Sequence, residues 1–94
     1  METIGTVTNI KVASFLTGTP NSFDIGAITV KETSTGTSWF FYIWNSRDDA
    51  PAVYRVLQSQ RLALVREAAF RKLKVHCFHD NDSSVLTEIT VDIP

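Results

Sequence analysis

The chain has 94 residues, of which 44% are hydrophobic and 20% charged, and a formal net charge of −1. That size supports one domain over 1–94, and a charge so near zero argues against DNA or an anionic membrane as partner. No run is long enough to span a bilayer, and the start METIGTVTNIKV lacks the basic and apolar regions of a signal peptide, so a cytoplasmic protein is expected, while Cys77 as sole cysteine excludes a disulfide-built scaffold.

In chain order, Ile4–Phe15 carries the strand formers Val7, Ile10, Val12 and Phe15 among Thr and Asn. Its apolar residues change sides, and a bulge near Asn9 accounts for that. Thr17-Gly18-Thr19-Pro20-Asn21-Ser22 is a dense turn signal. Phe23–Glu32 predicts a second strand, with Ile28 and Val30 on one face and Phe23, Ile25 and Ala27 on the other. Thr33–Thr37, with Gly36, predicts a hairpin loop. Ser38–Asn45 is the most aromatic stretch, alternating Trp39, Phe41 and Ile43 with Phe40, Tyr42 and Trp44.

A helix follows. Asp48 or Asp49 can cap its free N–H groups, and Pro51 suits the first turn. At about 100° per residue, Val53, Val56, Leu57, Ala63, Leu64 and Ala68 gather on one face with Gln60, which predicts the core side. Tyr54, Leu62 and Val65 gather on another face. Arg55, Ser59 and Arg66 form a narrow polar strip. Two apolar stripes on one helix imply two packing partners, so Tyr54, Leu62 and Val65 are expected at a contact between subunits. Phe70–His79 then predicts a fourth strand and Val85–Ile93 a fifth, the latter with Val85, Thr87, Ile89, Val91 and Ile93 on one side.

The resulting order, β-β-β-α-β-β, describes a mostly β chain with one helix between strands three and four. It is the order of the five-stranded oligonucleotide/oligosaccharide-binding (OB) barrel, in which a helix plugs one end. An open α+β sheet with the helix across one face has the same order of elements.

Two stretches invite a chemical reading. Aromatics of the middle strands hold bases in OB barrels that bind single-stranded nucleic acid. Here Lys31, Arg47 and Lys11 are few beside Asp24, Glu32, Asp48 and Asp49. The aromatic strand is therefore expected to give one face to the core and the other to an interface or ligand, through Phe40, Tyr42 and Trp44. His76-Cys77-Phe78-His79-Asp80 has metal-ligand residue types. On a strand, however, His76 and His79 point to opposite faces, so no metal site is expected, and the plain reading is an exposed His pair beside a half-buried Cys77. No G-x-S-x-G elbow or phosphate-cradling glycine loop occurs, and Asp48/Asp49 and Asp80/Asp82 fit capping and turns. No catalytic residues and no cofactor are expected.

Ala27-Ile28-Thr29-Val30-Lys31, the strand Trp39–Trp44, the helix from Pro51 and the run Leu64-Val65-Arg66-Glu67-Ala68-Ala69-Phe70-Arg71-Lys72-Leu73-Lys74-Val75 together resemble the pentameric B subunits of AB-type bacterial toxins. In cholera-type B subunits a similar succession of strand, strand, long helix and strand occurs, ending in an alternating strand like Glu88–Ile93. The resemblance covers Ala27 to the C-terminus and lies in spacing and pattern. It implies an OB barrel that assembles as a pentameric ring, packing helices about the axis and pairing edge strands, and that binds cell-surface glycans. The chain departs from the family in lacking a cysteine pair, a signal peptide and residues that match a glycan site. The expectation is thus a non-enzymatic, self-assembling OB-type binding or structural module, with a sugar or protein ligand ahead of nucleic acid. The alternative is a single-stranded nucleic-acid-binding OB protein.

Overall fold

The computed structural model describes residues 1–15, 23–47 and 52–93, so Thr17–Ser22, Asp48, Asp49 and Pro51 lie outside the described residues. Five strands and one helix follow in the order β1 (Glu2–Phe15), β2 (Phe23–Glu32), β3 (Ser38–Arg47), α1 (Ala52–Arg71), β4 (Lys74–His79) and β5 (Leu86–Val91). The strands form one open antiparallel sheet in the order β3-β2-β1-β4-β5. Its edges, β3 and β5, approach each other at one point. There Tyr42 makes an isolated parallel bridge with Val85, and its N–H donates to the Ser84 carbonyl at 2.8 Å.

Alternation explains most of the core. Ile28 and Val30 of β2, Phe41 of β3, Val75 and Cys77 of β4 and Val7 of β1 all turn to one side and are buried. Where alternation fails, a bulge intervenes. The β1–β2 register slips between Val7 and Asn9, leaving Thr8 unpaired, so that Val7 and Ile10 both reach the core despite odd spacing. This is the predicted bulge. On β3, Ile43 is the extra residue between Tyr42 and Trp44. On β5, Thr87 is the extra residue between Leu86 and Glu88, and its hydroxyl donates to the Phe78 carbonyl at 3.1 Å. That bulge turns Leu86 inward and leaves Val85 exposed, against the alternation expected at the start of the last strand, whereas Ile89 and Val91 keep to one side and pack against the core.

Two features of the backbone explain particular residues. A Cβ on Gly5 would lie 2.1 Å from the Lys31 carbonyl oxygen, so β1 and β2 can approach this closely only without a side chain there. Gly36 takes φ 74° in the β2–β3 turn, where its N–H donates to the Glu32 carbonyl at 2.9 Å.

The helix differs from expectation at both its end and its faces. It continues through Phe70 and Arg71, where the sequence pattern predicts the fourth strand, and β4 starts at Lys74. Lys72 (φ 55°) ends it in a left-handed turn: Leu73 N–H donates to the Ala68 carbonyl and Lys72 N–H to that of Ala69. Val65, expected at a subunit contact, is 0% exposed in the protein's own core together with Ala68. Leu62 is half-buried, and the Tyr54 side chain lies outside the described part of the structure. Conversely Val56, Leu57, Ala63 and Leu64, expected in the core, are exposed. Periodicity identifies two apolar stripes but not which one meets the sheet. The face that does takes Val65 from one stripe and Ala68, buried as expected, from the other, with Ala69 beside them, and these side chains let the helix axis lie close to the strands.

Candidate functional site

The sheet register assembles an outward platform from three strands. Directly opposed residues share a face, so Asn9, Thr29 and Phe40 form one row, and Lys11, Ala27 and Tyr42 the next. Phe40 is exposed and packs edge-on against Tyr42, with ring centroids 5.1 Å apart and an interplanar angle of 87°. Ala27, fully buried, lies between Tyr42 and Lys11. One cation, two aromatic rings and the side chains of Asn9 and Thr29 thus close over Ala27 and form the surface themselves. Such a surface can stack on an apolar ring face and hydrogen-bond its rim.

Of the three aromatics expected to meet a ligand, the platform brings together Phe40 and Tyr42. Trp44 leaves it. The extra residue Ile43 turns the indole to the core side, where it lies over Gly26, whose missing Cβ makes the room. Its Nε1 is buried and has no hydrogen-bond partner among the described residues. The carbonyl of Ile43 accepts from Arg61 Nη1 of the helix at 3.0 Å, so the bulge is pinned from α1. Trp39 is exposed instead and donates from Nε1 to Glu32 Oε1 at 2.9 Å. Glu32 also accepts from Thr35 at 3.0 Å and Ser34 at 3.3 Å. These bonds, that of Trp39 foremost, hold its carboxyl below the usual value. Asn9 and Thr29 were not singled out from sequence, because only the register places them beside the aromatics.

The run His76–Asp80 divides as alternation requires, but not as an exposed His pair. Cys77 and His79 are both buried. Burial pushes the Cys77 thiol up to about 12, which leaves it protonated and unreactive. His79 Nδ1 donates to the Asp80 carbonyl at 2.9 Å, and Nε2 shares a hydrogen bond with the Thr3 hydroxyl at 3.3 Å. The ring, met at both nitrogens, sits 4.8 Å from Phe41. His76 lies on the opposite face, with Glu2 Oε2 2.8 Å from Nδ1 and Asp92 Oδ2 3.0 Å from Nε2. Among the described residues no group of three or more His, Cys, Asp or Glu side chains has a geometry that could hold a metal ion.

The helix supplies the other unusual surface. Val56, Ala63 and Phe70 follow one another at seven-residue spacing along the side away from the sheet, and Phe70 is 92% exposed. Toward β1 this side borders a groove of about 560 Å³, lined by Val7, Thr8, Asn9, Ile10, Arg66, Ala69 and Phe70. Toward β5, Leu57 and Leu64 border a smaller one of about 270 Å³ with Thr87, Glu88 and Ile89. No helix among the described residues is long and apolar enough to cross a membrane.

Comparison with protein-family models, with curated proteins and with solved structures finds no significant match.

Proposed function

We propose that this chain is a non-enzymatic, self-assembling binding module built as an OB-like five-stranded barrel. The strand order, together with the Tyr42–Val85 bridge, supports the barrel, because β3 and β5 are the strands that must meet for such a sheet to close. The outward stripe Val56, Ala63 and Phe70 carries the assembly. Its occupant is the same stripe on a second copy. Equal seven-residue spacing lets two such helices interlock, and Ala63 in the middle lets their axes approach to about 8–10 Å. The resemblance to toxin B subunits supports a ring of five. Light scattering on the full chain should therefore give a multiple of the chain mass. Ala63→Glu, at an exposed position, should reduce that mass to one chain with an unchanged far-ultraviolet circular dichroism spectrum. A native chain that runs as a monomer would sink this reading.

The ligand of the module is a sugar or a protein surface taken by Phe40 and Tyr42, with Asn9, Lys11 and Thr29 at the rim. A single-stranded nucleic acid is the second reading, and the exposed aromatic pair on a middle strand supports it. Lys11 and, one row further, Lys31 are the two cations beside the aromatics among the described side chains, which gives phosphates only a modest pull. A glycan array and an oligonucleotide titration on one preparation separate the two readings. Glycan binding lost in Tyr42→Ala is the expected result, and salt-sensitive oligonucleotide binding would reverse the ranking.

A further inference from the structure

Glu2, His76 and Asp92 occupy the sheet face opposite the core. His76 sits mid-way along β4, between Ile4 of β1 and Thr90 of β5. Glu2 and Asp92 each reach it diagonally, two residues beyond these direct neighbours. Glu2 is the first residue of β1 and Asp92 the residue after β5. The backbone reaches both: Asp92 N–H donates to the Lys74 carbonyl at 2.9 Å and His79 N–H to that of Met1 at 3.0 Å. One imidazole therefore ties together the outermost residues of the two strands that flank β4.

The geometry requires a particular charge state. Each ring nitrogen faces a carboxylate oxygen, at 2.8 Å and 3.0 Å. A carboxylate accepts but does not donate, so both contacts are hydrogen bonds only when both nitrogens carry a proton. A neutral ring would turn a lone pair on Glu2 or Asp92. We propose that Glu2, His76 and Asp92 form a proton-operated clamp that fastens the ends of β1 and β5 to β4 in mild acid and frees one of them as pH rises.

The surroundings agree. Asp92 first and Glu2 second raise His76 above its ordinary 6.5, against a smaller cost of desolvation. The other charged groups on this face among the described side chains are Lys74 of β4, Glu88 of β5 and, farther from His76, Lys11 of β1 and Lys31 of β2, while α1 shares the core on the far side with Val75 and Cys77. Because the folded value lies above the unfolded one, the stabilisation is fully present below 6.5 and is lost as pH rises through the raised value. The clamp is independent of the platform and of the helix stripe.

The test follows both histidine rings by NMR titration in the full chain, with thermal unfolding measured at about pH 6 and about pH 8.5. His76 should titrate above 6.5 in the native chain and fall back toward 6.5 in the double variant Glu2→Gln/Asp92→Asn. The native Tm should drop between the two pH values by more than that of the double variant. Both replacements are isosteric and sit on exposed carboxylates, so folding is preserved. His76→Gln provides a second comparison, since it too should lose the excess pH dependence. Solution mass at both pH values separates loosening of the ends from dissociation. His76 titrating at or below 6.5 in the native chain, or equal Tm drops in native and variant chains, overturns the clamp.

Discussion

The sheet and the helix treat their apolar side chains in opposite ways. The strands bury one alternating set of apolar residues, and three bulges, at Thr8, Ile43 and Thr87, re-aim residues to that side, while Phe40 and Tyr42 stay on the outward face. The helix buries Val65 and Ala68 and leaves Val56, Leu57, Leu64 and Phe70 at 40% exposure or more. A bulge is local and can correct one residue at a time, whereas a helix is rigid over its length and offers its whole circumference. It can seat one stripe on the sheet, and its other stripes remain available to a partner. The difference separates the two jobs of the molecule: the strands form the core and the platform, and the helix both lids the core and presents spare apolar surface.

The sharpest way to break this comparison uses two neighbours on the helix. Val65 is fully buried among Ile28, Val30, Phe41 and Val75, whereas Leu64, one position earlier, is 40% exposed. Val65→Asp places an unpaired charge in the core and should cost about 4 kcal/mol or more, enough to unfold much of a domain this small. Leu64→Asp should cost within about 1 kcal/mol. Urea unfolding of both variants decides the matter. Equal losses would mean that the helix has no free face, and the assembly reading would fall with it.

These two residues also mark how far the sequence could be read. Element order, the β2 limits at Phe23 and Glu32, the turn at Gly36 and the bulge beside Asn9 follow from local chemistry, and local chemistry is what a sequence records most directly. The helix faces do not, because Val65 and Leu64 both belong to apolar stripes and only contact with β1 and β3 distinguishes them. Trp44 departs from simple alternation for a related reason. Its turn to the core depends on the extra residue Ile43, and nothing in the run of aromatics signals where the register slips. The platform partners Asn9, Lys11 and Thr29 lie on other strands, and pairing alone brings them to Phe40 and Tyr42.

A smaller effect is expected where the two regions join. Lys72 links α1 to β4 with φ 55°, the left-handed conformation that glycine usually supplies where a helix ends in it. The turn is made regardless, because it satisfies the carbonyls of Ala68 and Ala69 and sets Leu73 against the core. A non-glycine residue in this conformation costs about 1–2 kcal/mol. Lys72→Gly removes that strain. It adds about 0.5–1 kcal/mol of backbone entropy to the unfolded chain and loses about 0.3 kcal/mol of favourable charge at the helix end, where Arg71 remains. Relief exceeds both on balance, so the variant should be more stable by about 0.5 kcal/mol, a rise of about 2–4 °C in Tm. Lys72→Val, with a branched Cβ in the same conformation, should move Tm the other way. Should both variants melt alike, the junction holds no strain, and the helix ends at Arg71 for some other reason.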